Sequence, residues 1–546
     1  MDFPIIRKAR VTGDHSAFVN GMMNGSGFES RRRHTQEKDL PSGPNWVVQK
    51  FGGTSVGKFG AKIAEDIVIP GLKDQRLAIV CSARSTSSKS EGTTTRLLRA
   101  ARNVEEEDGG RYAEIVEAIR SDHIHAGEEA FVKDEHSQVL QKYVDDVMAE
   151  CDNLLKILQS AHHLGGFAPR TKDMILSTGE KLACHYMAAL LSARGIKAVY
   201  VDISEVITFS FAKGLGDDFY SGLAKVLGER VLALEEGAVP VITGFFGVVP
   251  GGLLNEIGRG YTDLCAALVA VGLKARALQI WKEVDGIFTA DPRKVPTARL
   301  LDSVTPSEAS ELTFYGSEVI HPFTMDQVIK AHIPIRIKNV MNPRNNGTII
   351  VPSREDQLPS RGSGLIRNRS ASNLLTKNTP RRPTAVTIKA GITVLNVHSK
   401  KRTRAHGFLG SIFSILDKHR LSVDLISSSE VHVSMALHSE DSLLSGQGEE
   451  EMQIASDSLQ GAVNDLQKWG DVDLVPSMAI ISLVGQQLRS MVGISGRFFS
   501  TLGEHGINIE MISQGASEIN ISCVIEEREA SRALNVVHTN LFTFLD

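Results

Sequence analysis

Lys50, with Gly52 and Gly53 close behind it, is where residue types and spacing in this chain first suggest chemistry. The stretch Trp46 to Gly60, WVVQKFGGTSVGKFG, reads as a buried strand through Val47 and Val48 that ends at Lys50. A glycine-rich turn and the start of a helix follow. That order brings a cation and a row of backbone N–H groups to one point, as the phosphates of a nucleotide require. Gly52 to Lys58 also spells G-x-x-x-x-G-K, the first seven positions of a P-loop. Phe59, however, stands where a P-loop needs Ser or Thr to hold Mg2+. The cation of interest is therefore Lys50, before the glycines, and not Lys58 after them. A tight strand-to-helix connection would account for the glycines equally well, so the rest of the chain has to decide.

Three further clusters offer chemistry. The polar loop Ser82 to Thr95 follows the strand Leu77 to Cys81 and carries Arg84 and Lys89. Loops after strands of an open parallel sheet collect where ligands bind, although most of these hydroxyls need be no more than surface. Glu180 closes MILSTGE at the expected start of a helix, KLACHYMAALLSA, which Gly195 can stop. Ser177 or Thr178 is the expected N-cap, and a first-turn Glu180 is explained by the helix dipole alone. Gly251 to Asp263, GGLLNEIGRGYTD, runs into an apolar helix. Gly258 and Gly260 let the backbone approach a ligand, and Arg259 between them offers a bidentate fork for a carboxylate or phosphate. Thr262 and Asp263 open the helix, with Asp263 either capping it or holding a metal-bound phosphate. Here function is favoured over a plain turn. Beyond the strand Ala277 to Trp281, a second polar loop holds Lys282, Glu283, Asp285, Asp291, Arg293 and Lys294, with Pro292 and Pro296 marking it as a loop.

The elements that position these residues follow a β/α pattern from Val47 onward, with further strands at Lys197 to Asp202 and Val239 to Gly244, and Tyr315 to Thr324 and Ile335 to Asn342 finish the block. With 546 residues, 42% hydrophobic and 23% charged, the chain has material for two to four domains. A net charge of −4 argues against nucleic-acid binding. Five dispersed cysteines without a CxxC pair suggest reduced thiols, and no secretory signal or apolar span is visible, so a cytoplasmic location is expected. Residues 1–44, with Arg31 to His34, read as a mobile tail. Residues 45–351 read as one catalytic domain. Within it, the charged helical stretch 97–160 reads as a solvated face without function. The polar, basic and Pro/Ser-rich segment 352–384 reads as a linker.

Residues 385–546 contain an internal repeat. Gly407 to Ser427 aligns with Gly493 to Ser513 at a constant offset of 86, with eight of 21 positions identical, including His419 and His505. The histidines fall late in equivalent helices, where a cation is ordinary. Each copy reads strand, helix, strand, strand, heading toward a ferredoxin-like βαββαβ module. The second copy lacks a final strand, which Ala385 to Ala390 can supply. The first module is therefore expected to lie inside the second.

Taken together, KFGGTSV at 50–56, STGE at 177–180, GRGYTD at 258–263, DGIFTADPR at 285–293 and YGSEVIHP at 315–322, followed by two such modules, resemble the aspartate kinases. The modules resemble ACT domains, and the helical stretch, the Ser82 loop and the basic linker resemble the fungal branch. The chain ends after the second module, so no fused homoserine dehydrogenase is expected.

The resemblance implies an α/β amino-acid kinase fold, mainly a parallel sheet flanked by helices. It implies transfer of the ATP γ-phosphoryl group to the side-chain carboxylate of L-aspartate, with Mg2+, as the first step toward threonine, methionine and related amino acids. On that basis Lys50, Gly53 and Asp263 are the catalytic candidates. Thr54, Ser55, Ser82, Glu180, Arg259 and Thr262 are expected to bind substrate, Glu180 at the α-ammonium and Arg259 at the α-carboxylate. Lys50, Gly52, Gly53, Ser55, Lys282, Glu283, Phe288, Asp291 and Arg293 are expected at ATP; no dedicated protein metal site is expected. Many bacterial relatives carry Lys where this chain has Glu318, Tyr at Phe288, and Thr-Asp at Lys282-Glu283; Lys282 is placed to supply the lost charge. The ACT pair implies feedback inhibition, with L-threonine as effector, at Gly407, Asp424 and Ser427 in one copy and Gly493, Asn508, Ile509 and Gln514 in the other. It also implies a homo-oligomer. A non-catalytic amino-acid sensor would predict decayed kinase motifs, yet Lys50, Glu180, Arg259 and Asp263 are intact.

Overall fold

In the computed structural model the described residues are 45–543, without 86–90, 106–110, 132–135, 165, 210–214, 258–259, 317–319, 321, 352–381, 401–406, 430, 439–442, 446–452, 487, 489–490 and 515–518. The first sheet has eight strands: β1 (Trp46–Phe51), β2 (Arg76–Cys81), β3 (Ala198–Val201), β4 (Val239–Thr243), β5 (Ala277–Lys282), β6 (Ser303–Val304), β7 (Ile335–Asn339) and β8 (Thr348–Ile350). Their order is β3-β4-β2-β1-β5-β7-β8-β6, parallel throughout except where β7 meets β8. The central strands are almost wholly apolar because helices cover both faces. Along β1, Val48 packs on one side with Val80, Ile242 and Ile280, while Val47 and Phe51 pack on the other with Ile79 and Trp281. Lys50 pairs with Val80 on β2 and Ile280 on β5, so it sits at the carboxyl end of the central strand.

Helix α1 (Gly53–Lys62) leaves β1 at once and continues through Ile63–Val68 into the short α2 (Ile69–Gly71). Then come α3 (Thr93–Glu105), α4 (Arg111–Ala130), α5 (Ser137–His163) and α6 (Pro169–Ser192). The reading of 97–160 as a solvated face needs correction. Tyr143, Val147, Cys151, Leu154, Leu158 and Ala161 form a buried stripe along α5, and their three- and four-residue spacing puts them on one helix face. That stripe joins Leu97, Val116 and Ile119 in the core under α6. Only the opposite faces carry the charges, in pairs such as Arg120 with Asp152 at 2.7 Å.

The start of α6 also differs from expectation. Pro169 opens the helix after an extended Ala168, so Ser177, Thr178 and Glu180 lie in its interior. Ser177 caps nothing; its hydroxyl donates to the Met174 carbonyl at 2.7 Å. Glu180 is therefore no first-turn acid offsetting a helix dipole. The remaining helices of this half are α7 (Asp217–Leu232), α8 (Leu253–Ile257), α9 (Tyr261–Gly272), α10 (Pro306–Phe314) and α11 (Pro322–Lys330).

The second sheet is built from β9 (Ala385–Ser399), β10 (Val423–Ser428), β11 (His432–His438), β14 (Gly470–Val484), β15 (Met511–Ser513) and β16 (Asn520–Glu526), in the order β10-β11-β9-β14-β16-β15. A small ribbon of β12 (Leu444–Ser445) and β13 (Gln453–Ile454) stands apart from it. The helices are α12 (Phe408–Lys418), α13 (Asp457–Leu466), α14 (Ile494–Glu504) and α15 (Ala530–His538). β9 and β14 are each 15 residues long and serve two modules at once. Ser399 to Val394 pair with Gly470 to Val475, and Lys389 to Ala385 pair with Ile480 to Val484. The first half of β9 thus supplies the last strand of the second module, and the first module lies within it. Gly407 and Gly493 start the equivalent helices α12 and α14 with φ of 85° and 83°, conformations that favour glycine. His419 and His505 follow those helices as C-caps.

The two halves meet at α10. Tyr315 packs with Ile392, Val394, Met478, Ile480 and Val524 of the second sheet, and its carbonyl accepts from the Thr387 hydroxyl at 2.9 Å.

Candidate active site

The parallel sheet brings Lys50, the Ser82 loop, Gly244 and the head of α9 to one end. Lys50 Nζ lies 2.7 Å from Asp263 Oδ1, both side chains mostly buried. Asp263 does not cap α9; Gly260 holds that position. Its first-turn carboxylate faces the lysine from 213 residues away in sequence. Lys58, the P-loop look-alike, is exposed.

The glycines divide into two kinds. A Cβ on Gly53 would lie 2.0 Å from the Ala83 carbonyl oxygen, because the loop after β2 crosses directly over it and Ser85 N–H donates to the Gly53 carbonyl at 3.0 Å. A Cβ on Gly52, with φ −72°, would meet nothing within 4 Å. Gly53→Ala is expected to lower stability by about 3 kcal/mol, since backbone must move. Gly52→Ala should leave the melting temperature unchanged, since its Cβ has open space. Thermal melts on the two variants check this contrast.

Glu180 is 2% exposed. Its Oε1 accepts from the Thr262 hydroxyl at 2.6 Å, while Oε2 has no partner among the described residues. Burial pushes its pKa up to about 7, against the pull of Thr262, Tyr261 and the Lys50 charge. Gly244, just after β4, makes the space: a Cβ there would lie 2.5 Å from Thr262 Cγ2 and 2.8 Å from Glu180 Oε1. Gly244 and Tyr261 were missed by sequence reasoning, although a glycine closing the buried strand VPVIT was a usable signal.

Ser55 is buried and donates to Glu283 Oε1 at 2.7 Å, tying the turn after β1 to the end of β5. Thr54 and Ser82 are half-buried beside it, with Ser82 N–H donating to the Phe51 carbonyl at 3.1 Å. Lys282 is half-buried at the end of β5. Phe288 is half-buried and bridges Leu300. Asp291 and Arg293 bond to each other at 3.0 Å on the loop's outer side, so each largely neutralises the other. Arg84 turns away from the site: its guanidinium donates to the Asp122 carbonyl at 3.2 Å and lies over the Tyr186 ring, anchoring the loop to α4 and α6. Gly258, Arg259, Lys89 and Glu318 lie outside the described residues.

Of the effector candidates, Asp424 is closed: its carboxylate, 5% exposed, meets Lys389 Nζ at 2.6 Å. Ser427 and Asn508 are exposed and Ile509 is half-buried. Gln514 accepts from Ser495 Oγ at 3.0 Å.

Chemically, the site offers a cation beside backbone N–H groups for an anion, and a buried carboxylate with an unpartnered oxygen for a cation. The chain is similar to known proteins over most of its length. The amino acid kinase family profile matches residues 45–339, and an ACT domain profile matches residues 481–541. The chain is similar to the aspartokinase of Candida albicans, with 51% identity over 508 residues, 91% of this chain and 90% of that protein. It is equally similar to that of Saccharomyces cerevisiae, with 51% identity over 509 residues, 91% and 93% of the two chains. Among solved structures, E. coli aspartokinase III in complex with aspartate and ADP (R-state) matches with a TM-score of 0.68 and 27% identity, over 91% of this chain and 99% of that one. Its complex with lysine and aspartate (T-state) matches with a TM-score of 0.67 and 27% identity, over 91% and 100%.

Proposed function

The chain belongs to the aspartate kinases, with fungal relatives at about half identity, and we propose the following division of labour among its residues. As an aspartate kinase it transfers the ATP γ-phosphoryl group to the side-chain carboxylate of L-aspartate. A carboxylate oxygen bonds to the γ-phosphorus, the bond to the β,γ-bridging oxygen breaks, and ADP leaves as 4-phospho-L-aspartate forms. Such a reaction needs positioning and charge neutralisation more than a covalent residue.

The observation that carries the reading is the Lys50–Asp263 pair beside Glu180 and its unpartnered oxygen. Lys50 neutralises the transferring phosphoryl group; an ammonium has three donors and can keep Asp263 meanwhile. Gly52, Gly53 and Ser55 cradle the phosphates. Glu180 receives the substrate α-ammonium, with Thr262 orienting it, and Arg259 clamps the α-carboxylate. Thr54 and Ser82 border the substrate, and Lys282, Glu283 and Phe288 border the nucleotide, with Asp291 and Arg293 at its outer edge. Mg2+, when bound, would supply charge neutralisation on the triphosphate. Asp263, beside Lys50, is the carboxylate that would hold the ion.

The regulatory reading is feedback inhibition by L-threonine at the paired modules of a homo-oligomer, in an enzyme serving threonine and methionine synthesis in the cytoplasm. No helix among the described residues is long and apolar enough to cross a membrane. The test is ATP turnover with L-aspartate, trapping the acyl phosphate with hydroxylamine, with and without L-threonine. Turnover that threonine suppresses is expected. Turnover indifferent to threonine would remove threonine as effector, and no turnover with aspartate would overturn the kinase assignment.

A further inference from the structure

The loop that carries Phe288 is fastened to the second regulatory module through one buried histidine. His538, the last residue of α15, is 1% exposed. Its Nε2 lies 2.8 Å from Thr289 Oγ1 and its Nδ1 lies 3.3 Å from Thr297 Oγ1, so a single ring spans both sides of the loop. The Phe542 ring stacks on it at 5.1 Å with an interplanar angle of 7°. Thr289 Oγ1 already accepts from the Arg299 N–H at 2.9 Å. A neutral ring satisfies every group when the Thr289 hydroxyl donates to His538 Nε2 and Nδ1–H donates to Thr297.

Other contacts back this tie. Val386 N–H donates to the Thr289 carbonyl at 2.9 Å. Asn535 Nδ2 donates to the Lys294 carbonyl at 2.9 Å, and Arg299 donates to the Phe542 carbonyl at 3.0 Å. Ala290 and Val295 pack in the core of the regulatory module with Ile481, Val537 and Phe542. One side of the loop is thus a wall of the regulatory module, and Phe288 is the residue directly before Thr289.

We propose that His538 is a positioning residue for ATP: by holding Thr289 and Thr297 it sets Phe288, so that nucleotide affinity depends on how α15 is seated. This rests on the reading above that Phe288 meets the nucleotide. A histidine tying down a loop for stability alone would alter melting and leave the two substrates indistinguishable.

The experiment is steady-state kinetics on the full chain with His538→Ala, Thr289→Val and the double variant, together with Phe288→Leu. His538→Ala and Thr289→Val should each raise the KM for ATP about tenfold, the scale of one lost buried hydrogen bond, with the KM for aspartate unchanged. The double variant should lose less than the product of the two singles, because both remove the shared His538–Thr289 bond. His538→Gln, which keeps one donor and one acceptor, should recover part of the loss. Equal rises in both KM values, or unchanged KM values with only a lower melting temperature, would overturn the proposal. If His538→Ala does not fold, Thr289→Val, which preserves side-chain shape, carries the same expectations. Phe288→Leu separates the two failures. An unchanged KM for ATP there would mean that the nucleotide lies elsewhere. A raised KM there, with no effect at His538, would sink the positioning role alone.

Discussion

Lys50→Ala is expected to lower the rate of phosphoryl transfer by about a thousandfold and to leave the fold in place. The size follows from the loss of one preorganised cation at the transferring group, where charge develops in a site shielded from water. The fold persists because the backbone of residue 50 is held in the ladders of β2 and β5, whatever its side chain. The structural cost is confined to Asp263, whose carboxylate loses its 2.7 Å partner while mostly buried, and is about 1–3 kcal/mol. Asp263→Asn in the same background should restore that stability without restoring the rate. Lys58→Ala, on the exposed face of α1, is the control and should behave as wild type. Hydroxamate trapping with thermal melts decides. Turnover in Lys50→Ala within tenfold of wild type would remove Lys50 from the chemistry.

Glu180→Gln is expected to make the protein more stable above neutral pH and to cost about a hundredfold in kcat/KM for aspartate. In the unfolded chain this carboxyl titrates near 4.5, and in the folded chain near 7 because burial disfavours its charge. The folded state therefore binds the proton more tightly. The stabilising contribution is fully present below pH 4.5 and is lost as the pH rises through 7. At pH 8 the wild-type chain carries a buried carboxylate at a cost on the order of 3 kcal/mol, and a neutral glutamine of the same shape avoids it. Glutamine still accepts from Thr262 but cannot neutralise an ammonium, which accounts for the lost substrate binding.

The same pKa predicts that wild-type kcat/KM for aspartate falls as the pH drops below about 7, by about tenfold per unit once Glu180 is protonated in the free enzyme. Urea unfolding at pH 5 and pH 8, with aspartate kinetics across that range, tests both statements. A variant less stable than wild type at pH 8 and unchanged in its aspartate KM would make Glu180 structural.

These two residues were not equally legible. Lys50 stands at the end of an apolar run and before two glycines, so strand, turn and helix are all local signals, and α1 begins where the turn implies. Glu180 was read as the first turn of a helix. The true start, Pro169, precedes a polar run, RTKD, which resembles a loop when read alone. That run is helical because the buried side of α6 continues through Ile175 and Leu176 into the core, a tertiary gain that outweighs the weak local preference of Ser177 to Gly179.

By itself the sequence determined the alternation of strands and helices, the glycine turns, the candidate ligand-binding residues, and the repeat at an offset of 86. These rest on backbone geometry and on periodicities within a few residues of one another. Only the tertiary structure decided that Asp263 faces Lys50, that Glu180 is buried with one oxygen unpartnered, that Asp424 is closed by Lys389, and that His538 grips Thr289. Each of those depends on groups far apart in the chain. Burial and charge pairing, which set their chemistry, exist only once the sheets have assembled.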